Sequence, residues 1–161
     1  MKLYLLRHGE AAEHGDPRYK ENERPLTPKG IQRTKQLAHA LREMDIAFDK
    51  ILSSPLLRAR QTAEIMARGM EKPADLTEAL TPSGNMQALV EQIGGIRPVP
   101  ASVLLVGHEP YLSGFISFLC LGNPELQIKL KKGALCRLEI EQLTCGKCAV
   151  LEWLLQPRLF G

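Results

Sequence analysis

The sequence predicts a three-layer α/β/α sandwich with a mostly parallel sheet, formed as a single domain over residues 1–161. Three observations carry that reading. Short apolar runs alternate with helix-period segments along the chain, the pattern of helices packed on both faces of a sheet. Ser102–Val106 is continuously apolar, as expected of a strand buried on both faces. The length suits one sizeable core and falls short of two full domains.

Lys2–Leu6 opens the chain as a strand and stops at Arg7 and His8. A polar loop containing Pro and Gly runs from Gly9 to about Arg24. Thr27-Pro28-Lys29-Gly30 then starts a helix, with Thr27 as N-cap and Pro28 preset at the first helical position. Ile31, Leu37, Ala38, Leu41 and Met44 form its apolar face. Ile51-Leu52 is a second strand, and the start signal recurs after it. Ser54 caps and Pro55 opens a helix that continues through Ala59, Ala63, Met66 and Ala67. A weaker strand lies near Ala74–Thr77 and a third helix over Asn85 to Ile93, ended by Gly94, Gly95, Pro98 and Pro100. After Ser102–Val106, Gly107-His108-Glu109-Pro110 turns the chain into a helix from Tyr111 to about Cys120. Ala134–Ile140 and Ala149–Leu155 pair as a terminal hairpin. No internal repeat or interdomain linker interrupts this order.

The bulk properties narrow the function classes. A chain with 44% hydrophobic and 24% charged residues is an ordinary globular protein. Its 21 Lys and Arg against 18 Asp and Glu give a net charge of only +3, too small and dispersed for nucleic acid. The densest basic spot, Lys129, Lys131 and Lys132, reads as a solvated turn. Only four apolar residues follow Met1-Lys2 before Arg7-His8, too few for an export signal, and Tyr111–Leu121 is too short to span a bilayer. A cytoplasmic protein that binds no membrane, with reduced cysteines, is the expectation. Cys145 and Cys148 have CxxC spacing, but no second pair completes a zinc site, and their place between two strand runs reads as a hairpin turn.

Chemistry concentrates at three strand ends: Arg7-His8-Gly9, Ser53-Ser54-Pro55-Leu56-Leu57-Arg58 and Gly107-His108. Ligands of open parallel sheets bind outside the carboxyl ends of the strands, so these segments are expected to meet at one sheet edge. Two of them lead into helix N-termini, which favour an anion. A cation at Arg58, in the first turn of a helix, opposes the helix dipole unless a bound anion offsets it. Two arginines, two histidines and two helix starts describe a phosphoryl site. His14, in the polar loop, and His39, within a helix, read as surface residues.

These segments resemble the histidine phosphatase superfamily, with its phosphoglycerate-mutase-like fold. Leu6-Arg7-His8-Gly9-Glu10 matches the Arg-His-Gly signature, and Arg24-Pro25-Leu26-Thr27-Pro28-Lys29-Gly30 is similar to the following Leu-Thr-x-x-Gly helix start. Ser54-Pro55-Leu56-Leu57-Arg58-Ala59-Arg60-Gln61-Thr62-Ala63 resembles the Ser-x-x-x-Arg-Ala-x-x-Thr-Ala segment, and Val106-Gly107-His108 the segment of the second histidine. The matches run in family order. The compact length and Leu80-Thr81-Pro82-Ser83-Gly84 are most similar to the superfamily's bacterial phosphohistidine phosphatases, which have no large cap domain.

The resemblance implies that His8 attacks phosphorus and is transiently phosphorylated, that Arg7, Arg58 and His108 hold the phosphoryl group, and that Gly9 and Arg24 contribute to binding at its rim. It implies no cofactor and no metal: no acidic cluster suited to magnesium lies near these motifs, so arginines must supply the positive charge. The substrate implied is a phosphorylated protein such as a histidine phosphotransfer domain. The alternatives are a phosphatase of small phosphate esters (nucleotide, sugar or cofactor phosphates) or a phosphoprotein-binding module without turnover. Glu78 is the candidate general acid for an ester, but it is displaced by one residue from the family position, where Ala79 stands. Glu10 and Glu109 are local alternatives that also suit N-terminal helix charges.

Overall fold

The computed structural model describes residues 1–157. In chain order its elements are β1 (Lys2–Arg7), α1 (Pro28–Glu43), β2 (Lys50–Ser53), α2 (Leu57–Met70), β3 (Ala74–Leu76), α3 (Met86–Gly94), β4 (Ser102–Gly107), α4 (Tyr111–Leu121), β5 (Leu135–Ile140) and β6 (Ala149–Leu155), with 3-10 turns at Glu21–Glu23 and Glu78–Leu80. The strands form one sheet in the order β3-β2-β4-β1-β5-β6. The first four are parallel, and β5 and β6 add antiparallel at one edge as the expected hairpin.

Alternation along the strands builds the two cores. Tyr4 and Leu6 of β1, with Ile51 and Leu104, face Leu37 of α1 and Ala63 and Met66 of α2. Leu3 and Leu5, with Val103 and Leu105, face Leu89 of α3 and Leu112 and Phe115 of α4. β4 is buried along its whole length, as its unbroken apolar run requires. The architecture is the predicted sandwich, and the described residues include no cap domain. Among the described residues, no helix is long and apolar enough to cross a membrane.

α1 begins as expected: Thr27 accepts the Gly30 N–H at 3.0 Å and Pro28 holds the first position. Gly30 is dictated by packing, because a side chain there would drive its Cβ into the Glu10 carbonyl. The same approach is fixed by the Thr27 N–H, which donates to Glu10 O at 2.9 Å, so the entry of α1 clamps the chain after His8.

Two local expectations are corrected. α2 starts at Leu57 rather than Pro55, and its N-cap, Leu56, makes no side-chain cap bond. Ser54 Oγ still accepts from Leu56 N at 3.3 Å, but its hydroxyl also meets His108, which draws it away from capping. Met44 does not join the apolar face of α1: it is the 54% exposed C-cap, followed by Asp45 at φ 54°, where the chain leaves the helix. The buried face is instead Gly30, Thr34, Leu37, Ala38 and Leu41, with Ile31 half-buried. Cys145 and Cys148 lie in the β5–β6 connection, as the hairpin reading expected.

Candidate active site

Register fixes where the three motifs end. Arg7 pairs with Gly107 and Leu6 with Val106 across β1 and β4, while Ser53 pairs with Val106 across β2 and β4. His8, His108 and Ser54 are the next residues on three adjacent strands and leave the sheet side by side. The His8 N–H donates to Gly107 O and the Ser54 N–H to Val106 O, each at 3.0 Å, tying these exits together. The ring centres of His8 and His108 lie 5.2 Å apart.

His8 is 4% exposed. Its Nδ1 is 2.8 Å from Gly9 O, and a carbonyl only accepts, so Nδ1 carries the proton and Nε2 holds a free lone pair. Burial is the main cause that pushes its pKa down to about 2, outweighing the Gly9 bond, and His108 and the arginines lower it further. The ring is neutral throughout the working range. Gly9 follows in a space that admits no side chain: a Cβ would stand 2.9 Å from Thr34 Oγ1 and 3.3 Å from Gly30 O. Its N–H donates to Thr62 Oγ1 on α2.

Arg58, in the first turn of α2, is 5% exposed, and its Nη1 donates to the Glu21 carbonyl at 2.9 Å. Burial lowers its pKa, and the neighbouring Arg24 adds to this. Arg7 is anchored by a 2.8 Å bond from Nη1 to Leu130 O, and burial lowers its pKa as well. Arg24 is 7% exposed, deeper than a rim residue. Its Nη1 donates to Ala12 O at 2.6 Å, and its Nε and Nη2 donate to the two carboxylate oxygens of Glu21 at 3.0 and 2.5 Å.

His108 is 2% exposed and shares a 2.8 Å hydrogen bond with Ser54 Oγ through Nε2. Its Nδ1, and the Nε of both Arg7 and Arg58, are buried without a hydrogen-bond partner among the described residues. Burial first, then the positive charge of Arg58, Arg24 and Arg7, pushes the His108 pKa down to about 3. Three cations and two neutral imidazoles with unpaired polar atoms describe a pocket built to take an oxyanion.

The carboxylates divide differently from the sequence expectation. Glu78 is exposed in the turn after β3, which is joined to the site's edge by the Thr77 N–H bond to Ser53 O at 2.8 Å. Glu109 accepts the Ser113 N–H at 2.9 Å, and Glu10 lies 3.3 Å from Thr27 Oγ1, so both attend helix N-termini. Sequence reading missed Glu21, whose Oε1 lies 3.6 Å from Arg58 Nη2. The signal was present as an acid three residues before Arg24, inside what was read as a plain polar loop. It also missed the Ser54 hydroxyl, which was assigned to helix capping. His14 is exposed, but it is joined to Glu21 by a 2.7 Å contact from Nδ1 to Oε2. His39 is exposed, as expected. Lys131 and Lys132 are exposed in the turn before β5.

Comparison with known proteins identifies the family. The family model of the histidine phosphatase superfamily (branch 1) matches residues 3–93, a span that includes Arg7, His8, Arg24 and Arg58. An uncharacterised protein of Picosynechococcus sp. is 40% identical over 141 residues, covering 86% of this chain and 84% of that protein. The phosphohistidine phosphatase SixA of Escherichia coli K12 is 31% identical over 132 residues, covering 76% of each. A solved structure of the protein histidine phosphatase SixA complexed with tungstate superposes with a TM-score of 0.86 at 26% identity, over 100% of both chains. The chain belongs to the histidine phosphatase superfamily, branch 1, and within it is homologous to SixA.

Proposed function

We propose that the chain is a metal-independent phosphohistidine phosphatase acting on a phosphorylated protein, such as a histidine phosphotransfer domain. The observation that carries the reading is the state of His8: neutral, with Nδ1–H held by Gly9 O and Nε2 free to attack. Nε2 forms a bond to phosphorus as the bond to the leaving group breaks. Water then attacks the phosphorylated ring, releasing phosphate and restoring His8. Arg7 and Arg58 donate to the phosphoryl oxygens and Arg24 adds its positive charge beside them, preorganised charge that acts at no cost in reorganisation. Gly9, packed against Thr34 and Gly30 with its N–H on Thr62, contributes by holding the chain next to His8 in place. With the Ser54 hydroxyl donating to Nε2 of His108, that ring's proton lies on Nδ1 and is available to a phosphoryl oxygen.

The choice of substrate is supported by the likeness to SixA and by the exposure of Glu78, which leaves an alkoxide without a held acid. Phosphohistidine needs none, since a protonated imidazole departs readily. Assay of the purified protein on phosphohistidine protein, aryl phosphate and metabolite esters tests the reading. Phosphohistidine is expected to be the best substrate, with turnover unchanged by exhaustive chelation. Brief mixing with labelled substrate should trap acid-labile phosphate on the wild type and none on His8→Ala. Undiminished turnover by His8→Ala would overturn the mechanism.

A further inference from the structure

The carboxylate of Glu21 stands where it works against phosphate. It lies between Arg24 and Arg58, occupies Nε and Nη2 of Arg24, and brings a negative charge against two of the pocket's three cations. Its hydrogen bond from Arg24 is the main cause that holds its own pKa down to about 2, so it stays ionised. Two anions sharing the same guanidinium groups repel, and a general phosphate site has no use for the arrangement. Besides holding Arg24, such a carboxylate gains a role in binding when the substrate brings a cation with its phosphoryl group.

The structure holds an example of that partner. Nδ1 of His14 meets Glu21 Oε2 at 2.7 Å, a charge-assisted geometry for an imidazole N–H on a carboxylate. His14 has a side-chain exposure of 84% and comes from the outer turn of the Gly9–Arg24 loop, so it covers the carboxylate from the solvent side. Arg24, almost fully buried, fixes the carboxylate plane with two bonds and directs it outward past Arg58. The cradle is therefore rigid on its inner side and replaceable on its outer side.

We propose that Glu21 is the leaving-group subsite: it accepts the N–H of the substrate's phosphorylated imidazole, at the position His14 holds in the free protein. The proposal rests on the phosphohistidine reading above and adds the residue that selects for it. In the reactive complex the substrate ring carries phosphorus on one nitrogen and a proton on the other. Glu21 Oε2 receives that N–H and stabilises the positive ring. As His8 Nε2 bonds to phosphorus, the old P–N bond breaks, its electron pair stays on the substrate nitrogen, and the ring leaves as neutral imidazole. An aryl or alkyl phosphate has no N–H to offer, so for these the carboxylate only repels.

Glu21→Gln provides a crossed test on two substrates, phosphoimidazole and p-nitrophenyl phosphate. For phosphoimidazole, kcat/KM should fall about 10- to 100-fold, the range for losing a hydrogen bond to a charged group. For the aryl phosphate it should hold or rise, with tighter inhibition by vanadate. His14→Ala should keep phosphoimidazole turnover, because the substrate takes that place. Equal losses on both substrates would reduce Glu21 to an organiser of the arginines and overturn the proposal, as would an unchanged phosphoimidazole rate. A loss in His14→Ala matching that of Glu21→Gln would overturn it too. Free imidazole gives an independent readout: it should inhibit aryl phosphate turnover in the wild type and not in Glu21→Gln. If the wild type took aryl phosphate but not phosphohistidine, the substrate reading would fail, while Glu21-dependent inhibition by imidazole would still support the subsite.

Discussion

The Gly9 N–H donates to the Thr62 hydroxyl, 53 residues away, at 3.0 Å, and that hydroxyl in turn donates to Arg58 O at 2.7 Å. One buried side chain thus ties the backbone after His8 to the helix turn that carries Arg58. Thr62→Val keeps the volume and removes both bonds, leaving the buried Gly9 N–H without its acceptor. The expected cost is about 1–3 kcal/mol of stability, the penalty for an unsatisfied buried donor. Turnover should fall as His8 and Arg58 lose their fixed separation, and Thr62→Ser should recover most of both. Urea unfolding and kcat on the three proteins check this, and a Val variant equal to wild type in both would show that the bond positions nothing.

Arg58→Ala should lower turnover by about 100- to 1000-fold, as for removal of one preorganised donor to developing charge. Arg58→Lys should recover only part, since a point charge cannot reproduce the planar fork. Stability should move the other way. Burial and the nearby Arg24 disfavour the Arg58 cation, so the Ala variant should melt no lower than wild type in phosphate-free buffer. Calorimetry beside kinetics reads both, and a large drop in melting temperature would make Arg58 a structural residue first.

The two imidazoles also set an acid limit on stability. His8 and His108 have folded-state pKa values pushed down to about 2 and about 3, against 6.5 for the ordinary group. Below 6.5 the unfolded chain binds protons that the folded chain refuses, so stability is full above that pH and falls as the pH drops. Each ring should steepen the decline by ~1.4 kcal/mol per pH unit between about 6 and 4. Denaturant midpoints of the wild type, His8→Ala and His108→Ala across this range test it. Parallel slopes in all three would mean that neither ring resists protonation in the folded state.

Leaving-group dependence separates the two enzymatic readings. General acid catalysis is worth about a hundred- to ten-thousand-fold to an alkoxide leaving group, and Glu78 is exposed rather than held over the site. Catalytic efficiency should therefore be high for phosphohistidine, intermediate for aryl phosphate and poor for alkyl phosphate, with Glu78→Gln changing little on phosphohistidine. Efficient alkyl phosphate hydrolysis that collapses in Glu78→Gln would favour the small-ester phosphatase.

The positions of His8, Arg58 and His108 were legible in sequence because each follows a strand whose apolar run marks its own end. The parallel sheet then brings those ends to one edge without further information. Glu21 was not legible in the same way. Its loop has no period, and what makes it part of the site is a set of bonds to Arg24, Arg58 and His14 that exist only once the loop has closed. That closure depends on the Thr27–Glu10 backbone bond and the isolated bridge between Ala11 and Leu26, neither of which leaves a composition signal. Ser54 was read as a cap because the rule is local. The rival for its hydroxyl, His108, is 54 residues away.

β4 lies between β1 and β2, although both of those strands precede it in the chain. On the ribosome, the first two strands therefore emerge with no edge to offer each other, and their helices have no completed sheet to cover. Only when Ser102–Gly107 has left the exit tunnel can the central slot be filled and His108 arrive beside His8. Synthesis up to that point yields a chain with an open apolar gap, a species that domain folding during translation exposes to chaperones and to aggregation. His8 is made among the first residues, yet His108 and Ser54 come to stand beside it only when the slot closes, so the pocket at the three strand ends is completed late in synthesis.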